Sequence, residues 1–360
     1  MKGGRGRGSP KVSKLAPIDV IITMPEEVIT NILHCLPLQD AFQTSILSKD
    51  WKFKWTMMTQ LVFDANFHEY LEVTKNENEY VWIISRLLLL LKGSITKFAL
   101  YIPPENGVDV KHINNWIIYL SKKGIKEFTF QDWDGEPLEL TTHLFSCLEL
   151  THLELDNCEL RPTSEFNGFP NLLSLDYNTS EKLKQVEIAK LKNLKVLSLD
   201  SCDIENMTET TISSIFQLAG SLPKLQELSL DFTDCKILAD AENRVPTSLC
   251  CLKTLVLDNI DFRSDTMISC PTSCSLFFGS RFQHDGTVTA SESVVCIRGI
   301  ENEVCLIKYL LDCSPLLKKM DIHADSSEVR KLGGANGERE FATNLLKLRR
   351  ASPLAELNIV

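Results

Sequence analysis

The chain has 360 residues, with 38 Lys+Arg against 48 Asp+Glu, a formal net charge of −10, and 44% hydrophobic residues. That balance excludes a wholly disordered or collagen-like chain, and the length allows two or three domains with ample core. The longest leucine run, Leu87 to Leu91, is far short of the roughly 20 apolar residues that span a bilayer.

The first residues, MKGGRGRGSPKVSKLAP, carry Lys2, Arg5, Arg7, Lys11 and Lys14 and no acid. They lack an apolar h-region and are read as a flexible basic leader over 1–17. The remainder is strongly acidic, so its bulk charge opposes nucleic-acid binding.

Three helices are predicted over Asp19–Met58. Thr23-Met-Pro-Glu26 matches a capping box with Pro25 in the first turn, followed by Val28, Ile29, Ile32, Leu33 and Leu36 at helical spacing. Pro37 stops that helix. A second covers about Leu38–Leu47, and Ser48 is placed as the N-cap of a third that carries Trp51, Phe53 and Trp55. Three short helices cannot turn all these apolar side chains inward, so a surplus is left for a partner or for the rest of the chain.

The string MPEEVITNILHCLPLQDAFQTSILSKDWKFKW resembles an F-box, with Met24 where leucine is usual. The resemblance implies docking on a Skp-type adaptor and, through it, on a cullin. The docking face it implies is Met24, Pro25, Ile29, Ile32, Leu36, Pro37, Leu47, Ser48 and Trp51.

Beyond this module the template L-x-x-L-x-L recurs, starting at 95, 125, 150, 172, 194, 225 and 252, with further copies at 317 and 354. Each L-x-L is predicted to be a short strand with its leucines inward, and stacked units bury a core that one unit could not. Helical returns are placed at Trp116–Leu120 and Ile212–Leu218, each with a following Gly as C-cap. A βαβ enzyme would show Gly-rich phosphate turns after strands, and none is found.

The repeat fades between Phe262 and Val294, irregular over about 264–290. Order resumes with Val294–Ile297, a helix over Glu303–Leu311, a strand ending at Ile322, a loop over Lys331–Asn336, a helix over Phe341–Arg350 and a last strand over Leu354–Ile359.

The order of modules is similar to plant F-box/leucine-rich-repeat proteins with an FBD-type C-terminus, carried by Tyr309-Leu-Leu-Asp-Cys-Ser-Pro-Leu-Leu317 and Leu348-Arg-Arg-Ala-Ser352. The expected fold is therefore α/β: an F-box at 18–60, leucine-rich repeats at 61–290 whose parallel strands line a concave face, and FBD-like repeats at 291–360. The resemblance implies a non-catalytic substrate receptor of a ubiquitin ligase, in nucleus or cytoplasm, with an unidentified target protein and no membrane partner. The rival reading is a leucine-rich scaffold without a ligase role.

No catalytic signature is present, and no cofactor or metal is expected. His143 and His152 lack an acid or Cys partner in sequence, and Cys270-Pro-Thr-Ser-Cys274 has no second pair at zinc spacing. Cys147, Cys158, Cys202 and Cys250 sit in Leu-rich segments and are read as small core hydrophobes. A column of Asp156, Asn178, Asp200, Asp231 and Asp258 closes successive strands. It is read as Asx-turns that cap strand ends, the other reading being an acidic ladder for a basic partner.

Overall fold

The computed structural model describes residues 24–49, 51–73, 80–102, 108–132, 137–178, 190–200, 209–233, 235–238, 249–260, 301–324, 343 and 345–359. The basic leader, Thr23, Cys202, Cys270, Cys274 and the features expected over 264–290, 294–297 and 331–336 lie outside them.

Helix α1 (Glu26–His34) begins directly after Pro25, which is the N-cap residue and not a member of the first turn. No side chain caps it; Glu26 and Glu27 supply charge to the positive helix end instead. Helix α2 (Leu38–Gln43) starts in the same way after Pro37 and tightens into a 3-10 turn at Thr44–Ile46. Ser48 Oγ accepts the Trp51 N–H at 3.3 Å, as a cap should, but a turn and a 3-10 helix at Lys54–Met57 follow in place of an α-helix. The aromatic residues decide this: Trp51 is buried, and Trp55 packs edge-on to Phe42 at 5.0 Å.

The body is a 10-stranded parallel sheet with two small ribbons beside it. In chain order the strands are β1 (Gln60–Phe63), β2 (Lys97–Ile102), β3 (Glu127–Asp132), β4 (Leu138–Glu139), β5 (His152–Asp156), β6 (Cys158–Glu159) and β7 (Ser174–Asn178). There follow β8 (Val196–Asp200), β9 (Glu209–Thr211), β10 (Glu227–Asp231), β11 (Lys236–Leu238), β12 (Thr254–Ile260), β13 (Lys319–Ala324) and β14 (Glu356–Ile359). Ribbons β4–β6 and β9–β11 lie apart; the other strands pair in sequence order.

Register is fixed by the inward leucines. Leu153 pairs with Leu175, Leu175 with Leu197, Leu197 with Leu228 and Leu228 with Leu255, so identical template positions stack across the sheet. A one-residue slip would turn every inward side chain to solvent. A second ladder guards the strand starts. The carbonyl of Lys126 accepts both Thr151 and His152 N–H, that of Thr151 accepts Leu173 and Ser174, and that of Leu173 accepts Lys195 and Val196.

Helices α3 (Ala65–Val73), α4 (Tyr80–Leu90), α5 (Val110–Leu120), α6 (Ile212–Ser221) and α7 (Glu301–Cys313) serve as returns. Asp109 caps α5 through the Lys111 N–H at 2.9 Å, and Thr211 caps α6 through the Ser214 N–H at 3.2 Å. Trp116 Nε1 donates to Ser85 Oγ and Tyr119 OH to the Leu88 carbonyl, which lock α5 onto α4.

Every strand expected from the repeat template forms. The sheet also continues across the irregular segment, because β12 pairs directly with β13, with a register shift between Leu257 and Ile260. Further details differ from expectation. Strand β1 precedes the first foreseen repeat; Gly220 lies inside α6 and is not its C-cap; Cys250 is exposed, whereas Cys147 and Cys158 are buried. The helix foreseen over Phe341–Arg350 gives way to a turn at Lys347.

Candidate functional site

Helix α1 divides its apolar residues between two faces. Ile29 and Leu33, one turn apart, are buried, while Val28 and Ile32, also one turn apart, are about 40% exposed (41% and 40%). After α2, Ile46 is 84% and Leu47 65% exposed, and Phe53 ahead of the next 3-10 helix is 60% exposed. Full burial of one such side chain stabilises by about 1.5–3 kcal/mol, so one module forgoes this at several positions. That 3-10 helix packs against both α1 and the Thr44–Ile46 turn, so one small scaffold carries these residues.

The nine residues named from sequence separate into three groups. Pro25, Ile32, Pro37 and Leu47 are exposed; Met24, Leu36 and Ser48 are half-buried; Ile29 and Trp51 are buried in the module's own core. Exposed Val28, Ile46 and Phe53 were not among them. Splitting the Val28–Leu36 run into its two i, i+4 pairs would have separated the faces, but the sequence does not say which pair points inward.

The module is tied to the sheet. His34 Nε2 accepts the Thr59 N–H at 3.1 Å, just before β1, and burial pushes the His34 pKa below its ordinary value. A ring nitrogen that accepts must be unprotonated, so the contact requires neutral His34. Helix α2 packs on β1 and α3, and the module's buried residues merge with the core of the sheet.

The solvent face of the sheet is acidic at its centre. Glu154 accepts from Thr129 Oγ1 at 3.1 Å and from Gln131 Nε2 at 2.7 Å. Burial, with Asp132 and Asp176 nearby, raises the pKa of Asp156. In the strand-end column Asp231 does form the expected turn, accepting Thr233 N–H at 2.9 Å and Asn259 Nδ2 at 2.9 Å. Asp258 instead pairs with His323 Nδ1 on the next strand. Of the other histidines named above, the His143 ring meets Thr141 and the His152 ring meets Thr151. Burial pushes the Cys147 thiol up to about 11 and the Cys158 thiol well above its usual value, so both are inert core residues.

Among the described residues no group of three or more His, Cys, Asp or Glu could hold a metal, and no helix is long and apolar enough to cross a membrane.

Residues 21–61 match the F-box domain family. An F-box/FBD/LRR-repeat protein of Arabidopsis thaliana is 27% identical over 94% of this chain and 98% of its own length. A second Arabidopsis thaliana protein of that description is 26% identical over 59% of this chain and 49% of its own. A putative F-box protein from the same plant is 23% identical over 91% of this chain and 90% of its own. The chain thus carries an F-box domain on a leucine-rich-repeat body and is similar over most of its length to the F-box/FBD/LRR-repeat proteins.

Proposed function

We propose that the chain is the substrate-recognition subunit of a Skp-cullin-F-box ubiquitin ligase. F-box proteins are in general substrate adaptors of such ligases, and the module here has the surface that role needs. The observation that carries the reading is the apolar surface left open by the F-box: Val28, Ile32, Ile46, Leu47 and Phe53. A module that already buries Ile29, Leu33, Leu38, Ala41 and Trp51 has no internal use for these. They would meet a Skp-type adaptor, with Pro25 and Pro37 at the rim and Ile29 and Trp51 supporting them from beneath. The adaptor would link the chain to a cullin.

The strand-lined face would hold the target protein. The chain contributes proximity, and bond formation belongs to other subunits. Action in nucleus or cytoplasm, where such ligases are assembled, is part of this proposal.

The merged core of F-box and sheet also fits a module that simply closes the first end of the solenoid, as in a plain interaction scaffold. Affinity capture with a purified Skp-type adaptor separates the two. We expect the intact chain to be retained, and Pro25→Ala combined with Leu36→Ala to abolish retention while the repeats stay folded. Retention that survives this pair, or no retention of the intact chain, favours the scaffold.

A further inference from the structure

A second feature lies at the opposite edge of the sheet from the strand-end acids. A cavity of about 580 Å³ opens beside the starts of β3, β5, β7 and β8, lined in part by Lys126, Lys195, Lys224, Asn193 and Glu149. This volume falls in the range of small-molecule sites, about 300–1,000 Å³.

The backbone at its floor is fixed. Lys126 and Lys195 immediately precede β3 and β8, and each carbonyl accepts two N–H groups from the next repeat. With neighbouring strands about 4.8 Å apart, the three steps from β3 to β8 separate these lysines by about 14 Å. Lys224 joins the second of them: its Nζ donates to Asn193 Oδ1 at 2.6 Å, beside the start of β8. The cavity thus has one ammonium at one end and two at the other.

Among the described residues, neither Lys126 nor Lys195 makes a side-chain hydrogen bond or an ion pair, and Glu149 is the one carboxylate in the lining. The chain as a whole is acidic, with a net charge of −10, so this excess of cations runs against the general trend. The same edge continues with Lys253 and Lys318, while Asp156, Asp231 and Asp258 close the other ends of the strands. Ammonium groups gathered around a hollow repel one another, and an anion that enters relieves this.

We propose that this cavity binds a small molecule that carries phosphate groups at two ends, Lys126 holding one and Lys195 with Lys224 the other. Lysine serves here as a point charge for phosphate. The site is independent of adaptor docking and of the acidic face.

The test is calorimetric titration of the full chain with sodium tripolyphosphate, with inorganic phosphate as the single-anion comparison. We expect saturable one-to-one binding that weakens as salt rises, and much weaker binding of inorganic phosphate. Lys126→Ala, Lys195→Ala and Lys224→Ala should each weaken it about tenfold. Glu149→Gln should tighten it, and Lys253→Ala, on the same edge outside the cavity, should leave it unchanged. All five side chains are exposed or half-buried, so thermal melting should stay constant and show that each variant is folded.

Absence of saturable binding overturns the proposal. So does equal weakening by Lys253→Ala, which marks a diffuse charge effect. Loss of binding only when Lys2, Arg5, Arg7, Lys11 and Lys14 are changed to Gln overturns it too, because the anion then sits on the leader. A doubly phosphorylated peptide that binds where tripolyphosphate does not likewise contradicts it.

Discussion

Val28 and Ile29 are neighbours in sequence with opposite tasks. Ile29 and Leu33 are closed into the module, so Leu33→Ala should cost about 2–5 kcal/mol in chemical denaturation. Ile32→Ala, one residue earlier, should change stability by no more than about 0.5 kcal/mol. Equal losses at both positions would mean that the two faces of α1 have been assigned wrongly. The sequence shows an apolar helix here but cannot orient it. The deciding contact, His34 to Thr59, joins residues 25 apart and becomes visible only when the chain is folded.

That contact makes stability depend on pH. His34 has a folded-state pKa below its ordinary 6.5, so folding favours the neutral ring. Its contribution is complete above the unfolded value and is lost as pH falls below about 6.5 towards the lowered one, because there the unfolded chain binds the extra proton. Wild-type chain should therefore lose melting temperature between pH 7 and pH 5.5, and His34→Gln should lose less over the same interval. Identical slopes in the two proteins would show that His34 is not the group responsible.

Among the elements, the strands were legible because L-x-x-L-x-L writes their periodicity and their register at once. Strand β1 escaped although Met58-Thr-Gln-Leu61-Val-Phe63 has the same apolar spacing, with Met58, Leu61 and Phe63 buried. It follows the third F-box segment without a break, and the predicted helices end at Met58, the first residue of its apolar pattern. The ribbons β4–β6 and β9–β11 escaped because two or three residues carry no period.

Caps behave more predictably. Thr211 meets both the N–H and the hydroxyl of Ser214 at the start of α6, so Thr211→Ala should cost about 1 kcal/mol. Asp231→Ala should cost a similar amount, near 1 kcal/mol, by freeing Thr233 and Asn259 from their shared acceptor. Unchanged unfolding midpoints would remove these side chains from the account of what ends each element.

At the scale of the molecule, each repeat touches its neighbours, and stability is the sum of those interfaces. The direct pairing of β12 with β13, and the bond from Leu249 N–H to the Cys313 carbonyl at 2.8 Å, join the C-terminal repeats to the rest. Removal of residues 301–360 would bare the β12 edge and its inward Leu255 and Leu257, so that shortened chain should aggregate where the full chain stays monomeric in light scattering. The sequence foretold this architecture through its repeats, and the F-box through its motif. It could not foretell which apolar residues the two modules would spend on each other, because that depends on how the end of one meets the first strand of the other.

The measurement that bears most directly on the whole account is the affinity of the full chain for a purified Skp-type adaptor, read by calorimetry with wild type beside Ile32→Asp combined with Leu47→Asp. Both side chains are exposed, so melting should not change. The account predicts saturable binding by wild type and a loss of at least about a hundredfold in the double variant, as charge replaces apolar contact at the centre of an interface. Undiminished binding by the double variant, or no binding by wild type, would contradict it.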